Sequence, residues 1–179
     1  MLGLTPVQIY QVFLVLCLPV CIWVAMSDLK TMKIPNRSVL VLIAIFVFAG
    51  LLVMPLEAWL WRWANFAVIL AIGFVLNAVA NVGAGDAKFS AAAALFVTAS
   101  HANFVLPLFA AFLLAAFAAH RLLRAIPAVT RATPDWVSWK RKDFPMGLAL
   151  VGTFVTYLAI RAIPPFDAWV QSLLVSMAT

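Results

Sequence analysis

The sequence predicts an all-α integral membrane protein, a bundle of about six transmembrane helices in a single domain over residues 1–179. Three observations carry that expectation. Hydrophobic residues make up 66% of the chain and charged residues 10%, against roughly 25% charged in soluble domains. The apolar residues fall in runs near the ~20 residues that a helix needs to cross a bilayer. The Lys and Arg residues sit in short connectors between those runs, the positive-inside pattern. A water-soluble domain is excluded. The net charge of +6 points to a membrane face and not to nucleic acid.

The first expected span runs from about Gln8 to Met26, with Pro19 tolerated as a kink. No Lys or Arg precedes it, so the start lacks the basic region of a secretory signal and is expected to be retained. Cys17 and Cys21, the only cysteines, are four apart on one helix face and read as small apolar filling. Pro35 and Asn36 suit a turn into a second span, Ser38 to Met54, with Asn36 a candidate N-cap. Trp59, Trp61 and Trp63 then read as an interfacial connector ahead of a third span, Ala64 to Val82.

The apolar stretch from Phe89 to Ala119 would measure roughly 46 Å as one helix. That exceeds the ~30 Å hydrocarbon core. The polar Ser100-His101-Ala102-Asn103 divides it into a short fourth span, Phe89 to Ser100, and a fifth, Phe104 to His120. A basic loop from Arg121 to Asp143 leads to a sixth span, Phe144 to Ile163, ended by Pro164-Pro165. From Asp167 on, a short interfacial helix or a packed tail is expected. With both termini outside, ten cations fall on the cytoplasmic side (Lys30, Lys33, Arg37, Lys88 and six in the loop) and only Arg62 and Arg161 outside.

Within this apolar chain, Asn81-Val82-Gly83-Ala84-Gly85-Asp86-Ala87-Lys88 stands out. An ionisable residue at the mouth of a membrane helix is costly and marks a functional site by default. A short fourth span would leave Asp86 in a wet recess. Glycines at 83 and 85 would let a substrate backbone approach it. Asp28 is expected at the same membrane face. Two converging carboxylates share a proton, and such a pair can activate a water. A cap or an ion pair with the basic connector is the plainer role for Asp28. Lys88 either pairs with Asp86 or is an interfacial lysine, and Asn77 and Asn81 are read as hydrogen-bonding glue between helices. His101 and His120 are not expected to join the acids. On the residues alone a proton-coupled transporter or a non-catalytic assembly subunit remains open.

Two longer matches go further. Asp28-Leu29-Lys30-Thr31-Met32-Lys33-Ile34-Pro35-Asn36 resembles the first-aspartate motif of the type IV prepilin peptidases, and Gly83-Ala84-Gly85-Asp86-Ala87-Lys88 resembles their Gly-x-Gly-Asp-x-Lys. Phe144-Pro145-Met146-Gly147 is similar to their late Pro-Tyr-Gly, with Met146 in place of tyrosine. The resemblance implies a membrane aspartic protease of the bacterial inner membrane. Its catalytic pair would be Asp28 and Asp86, and Gly83, Gly85, Lys88, Pro35 and Asn36 would support the site or bind substrate. It implies no cofactor and no metal, and it makes pilin-like precursors the partners. The larger members carry a cytoplasmic insertion with paired cysteines and methylate the new N-terminus. Lacking that insertion, the chain resembles the short CpaA/TadV-like form of tight-adherence (Flp) pilus systems. A presenilin-like enzyme shares the Gly-x-Gly-Asp, but not the Ile-Pro-Asn after Asp28. Lys30, Lys33 and Arg37 are expected to meet anionic headgroups and not the basic leader.

Overall fold

In the computed structural model, which describes residues 2–176, every regular element is helical. The elements are α1 (Pro6–Thr31), α2 (Asn36–Ile45), α3 (Leu51–Val53), α4 (Leu56–Ala80), α5 (Ala84–Ala94), α6 (Ala102–Ala125), α7 (Pro127–Ala132), α8 (Gly147–Ala162) and α9 (Pro164–Ser176). A π-helical turn, Phe46–Gly50, joins α2 to α3, so that Asn36–Val53 is one apolar rod. Four stretches are long and apolar enough to cross a membrane: 6–31, 36–53, 56–80 and 99–125. The pair α8 and α9, bent by 103°, would make a fifth if counted together. The chain is a multi-pass, all-α membrane protein. Met1 and residues 177–179, and with them both chain ends and the last of the expected tail, lie outside the described residues.

Helix starts and stops follow local chemistry. Thr5 caps α1 in a reciprocal box with Gln8, with Pro6 at the first helical position. Met32 ends it in the left-handed conformation at φ 55°. Asn81 ends α4 the same way at φ 53°, a position that asparagine tolerates better than most residues. The Asn77 amide donates to the Val82 carbonyl at 2.5 Å. Both asparagines therefore terminate their own helix and do not glue two helices together.

Several expected boundaries move. The N-cap of α2 is Pro35, and Asn36 is already helical. The tryptophans do not form a connector, because α4 starts at Leu56 and carries them on its first turns. Trp59 lies flat on Phe46, 5.9 Å between centroids, and its indole N–H donates to the Phe46 carbonyl at 3.1 Å. The wide π turn presents that carbonyl, and Gly50 leaves the indole its space. Helix α5 opens at Ala84, not Phe89, so Asp86 stands in its first turn. It stops at Ala94, and the break that follows turns Leu95 and Phe96 into the interior. Helix α6 continues past His120 to Ala125, and α7 occupies part of the expected basic loop.

The core lies among α1, α2, α5 and α8. Phe96 is its hub, edge-on to Phe13 at 4.9 Å and to Phe46 and Phe154 at 5.4 Å each. Edge-to-face packing of this kind adds about 0.5–1.5 kcal/mol per pair beyond area burial. Cys17 and Cys21 are buried free thiols within this core. Helices α4 and α6 instead turn their apolar side chains outward, Phe74 and Leu114 among them. Such an outer face suits lipid, which solvates it as well as a core would. Helices α4 and α5 close into a hairpin so tight that a Cβ built at Gly73 would lie 2.7 Å from that of Ala87. That contact fixes the depth at which Asp86, one residue earlier, is held.

Candidate functional site

Asp28 sits in the last turns of α1, only 4% exposed. A carboxylate buried there needs a donor, and it has one. The backbone N–H of Gly147, the first residue of α8, donates to Asp28 Oδ2 at 2.7 Å. The free N–H groups and positive end of the helix dipole thus face a negative group. The approach is close enough that a Cβ at Gly147 would lie 2.7 Å from Oδ2 and 3.1 Å from the Asp28 Cβ. No described residue donates to Oδ1, and no cation of the basic connector pairs with Asp28. The ion-pair role is therefore not what the structure contains.

Asp86 reaches the same region from α5. It stands three residues after the N-cap Gly83, where a capping carboxylate reaches back, and it does fold over Gly83. Among the described residues no backbone amide donates to it, however, so the contact is not a cap. The missing Cβ of Gly83 is what leaves its carboxylate room. Gly85 makes space in another direction: a Cβ there would lie 3.2 Å from the Cβ of Ile34. The two glycines are thus filled from within the chain, by Asp86 and by Ile34, and not held open for a substrate backbone as the sequence suggested.

The segment after Asp28 locks onto the segment around Asp86 at a second point. Lys88 Nζ donates to Asn36 Oδ1 at 3.2 Å, and no ion pair joins Lys88 to Asp86 among the described residues. Pro35 caps α2 and sets the direction in which Asn36 presents its amide. Ser27 closes the intervening loop by donating to the Lys33 carbonyl at 3.0 Å.

Two acids separated by two long helices are therefore brought within electrostatic reach. Asp86 lies outside the membrane-crossing stretches, and burial pushes its pKa up to about 6, with the charge of Asp28 pushing the same way. The start of α5 favours the anion and is outweighed. His101 and His120 are not part of this pair. His101 Nδ1 meets the Tyr157 hydroxyl at 2.8 Å, and His120 stacks on Trp139 at 5.0 Å. Among the described residues no three His, Cys, Asp or Glu side chains are placed to hold a metal ion.

Gly147 is the residue that the site reading left out. Its signal was the Phe144-Pro145-Met146-Gly147 run, where the substituted third position drew attention away from the fourth. It is the glycine's amide that donates to the acid.

A bundle of apolar helices that gathers two isolated carboxylates at one end is an α-helical membrane protein with an acid pair at its edge. The model of the type IV leader peptidase family matches residues 15–120, and the chain belongs to that family of peptidases. The matched stretch holds both Asp28 and Asp86 and ends before Gly147. No curated protein and no solved structure matches the chain.

Proposed function

We propose that the chain is an aspartic endopeptidase of the bacterial inner membrane, cutting the short leader from pilin-like precursors at the cytoplasmic face. The observation that carries this reading is that the segment following Asp28 packs on the segment around Asp86, Ile34 against Gly85 and Asn36 on Lys88, with no ion pair to either acid among the described residues. Both termini lie outside, as the charge asymmetry of the connectors favours.

Near neutral pH the pair shares one proton. The ionised member takes a proton from a water, whose oxygen attacks the scissile carbonyl carbon. The protonated member gives its proton to the carbonyl oxygen. Collapse of the tetrahedral adduct breaks the C–N bond, and a proton passes to the leaving amine, so that one water is added across the peptide. The Gly147 amide can only donate, which fixes Asp28 Oδ2 and leaves Oδ1 to face the reacting water. Within the family, the missing cysteine-bearing insertion fits the short CpaA/TadV-like form, for which methyl transfer is not proposed.

Co-expression with a pilin-like precursor tests this through the mobility shift on leader loss. Asp28→Asn and Asp86→Asn should each lower cleavage by about a thousandfold or more while the protein stays in the membrane. Cleavage at the parental rate by either variant would remove the acid pair from the mechanism. A transporter would move a solute and process nothing.

A further inference from the structure

Helices α1 and α8 meet along their length, but on their outer side the seam opens into an apolar groove of about 320 Å³. Leu18, Ile22 and Met26 line it from α1, and Val151, Val155 and Thr156 from α8. These three α1 residues are between 39% and 57% exposed, so the groove looks outward from the bundle. Its register is informative. Cys21 and Ala25, also in the lining, are seven and three residues before Asp28, on the helix stripe that carries the acid. On α8, Val151 and Val155 continue at intervals of four from Gly147, whose amide holds that acid. The groove thus leads along both helices to the Asp28–Gly147 contact, and Cys21 lies about 10 Å from Asp28 along the axis.

We propose that this groove is the docking track for an apolar helix presented by the precursor, a proposal that rests on the peptidase reading. Three features favour that occupant. The track is continuous with the candidate site, so a helix seated in it delivers the adjoining peptide bond to Asp28. The small side chain of Ala25 admits the close approach that packs one helix on another inside a bilayer. The groove is bounded by the helix that carries Asp28 and by the helix whose Gly147 amide donates to it, whereas α6, whose apolar side chains also point outward, carries neither acid.

The test uses the full chain in membranes, carrying Asp86→Asn so that the precursor stays whole. A benzophenone amino acid is placed at Ile22, at Val155, or at Phe74 on the outer face of α4, which is 73% exposed. Irradiation should join the precursor through Ile22 and Val155 and give only background through Phe74. Equal adducts from Phe74, adducts with a second copy of this chain, or adducts with lipid alone would overturn the proposal. In the active chain, Ala25→Phe fills the groove and should raise KM for the precursor about tenfold, with kcat changed less than about twofold. An unchanged KM would also overturn it. The two readings fail separately: an unmodified chain that cuts no precursor refutes the peptidase, whereas absent adducts at Ile22 and Val155 refute the groove.

Discussion

The two ends of α1 hold polar groups of opposite economy. Near its start, Tyr10 meets the Tyr157 hydroxyl at 3.2 Å, and Tyr157 also meets His101. Arg62 donates to Thr98 at 2.9 Å, and Arg161 pairs with Asp167 while lying over the Tyr10 ring at 4.9 Å. Near its other end, roughly 27 Å away along the helix, Asp28 takes one backbone hydrogen bond and Asp86 takes none among the described residues. At the first end the side chains answer one another, which ties α1, α4, α8 and α9 together. At the second, the acids keep acceptor capacity that the protein does not use. Buried polar groups are ordinarily satisfied, so the unused acceptors of the acids are where chemistry belongs, while the linked network is where rigidity comes from, although Arg62 Nη1 and Arg161 Nε in it find no hydrogen-bond partner among the described residues.

Asp167→Asn should break the linked end most severely. It leaves the Arg161 guanidinium, whose side chain is 6% exposed, without its counter-charge. Removing one member of a buried pair costs roughly 3–5 kcal/mol. Thermal unfolding in detergent micelles should show that loss, while cleavage per folded molecule stays within about twofold. A variant that folds normally but cleaves poorly would join the two ends into one functional unit and end the contrast.

Gly147→Ala strikes the other end. The added Cβ would press on Asp28 Oδ2 from 2.7 Å, so the acid or the start of α8 must shift. Displacing a catalytic group by about an ångström can cost a hundredfold in rate, and a loss of that order is expected in the cleavage assay. Stability should fall less than with Asp167→Asn, since no charge is left unpaired. Normal cleavage by this variant would mean that the Gly147 contact holds helices together and does not aim the acid.

The all-α membrane class was legible because apolar runs depend on composition over tens of residues, which tertiary context cannot overturn, although the expected six spans become four, or five if α8 and α9 count as one. The short helix before the Ser100–Asn103 interruption was legible for the same reason, since a single helix over 89–119 would outrun a bilayer. Boundaries were less so. Nothing in Trp59, Trp61 and Trp63 distinguishes an interfacial loop from a helix start; the π turn that receives Trp59 decides it, and no sequence period announces that turn. Asp28 and Asp86 stood out because charge is rare in such a chain. The partners of Gly83, Gly85 and Gly147 did not, because a glycine records that something must come close without recording what. The linked end was missed for a related reason: Tyr10, Arg62, His101 and Arg161 are far apart along the chain and match no spacing.

The smallest expected effect separates the ends by pH. A carboxyl whose pKa in the fold exceeds its ordinary value binds more protons folded than unfolded, so stability falls as pH rises between the two values. For Asp86 the ordinary value is 3.8 and the folded one about 6, raised first by burial and then by Asp28. Its contribution should therefore decline from about pH 4 to about pH 6 and be fully lost above that range. This is opposite in sign to a carboxylate held in an ion pair. Melting temperatures of the parent and of Asp86→Asn, taken in micelles across this range, isolate the acid by difference. The parent should lose a few degrees relative to the variant as pH rises, because the amide cannot ionise and feels neither burial nor the charge of Asp28 in that way. A difference that stays flat with pH would mean that Asp86 ionises as though in open water. The acids would then be too far apart or too exposed to share a proton, and their unused acceptors would be ordinary surface polarity.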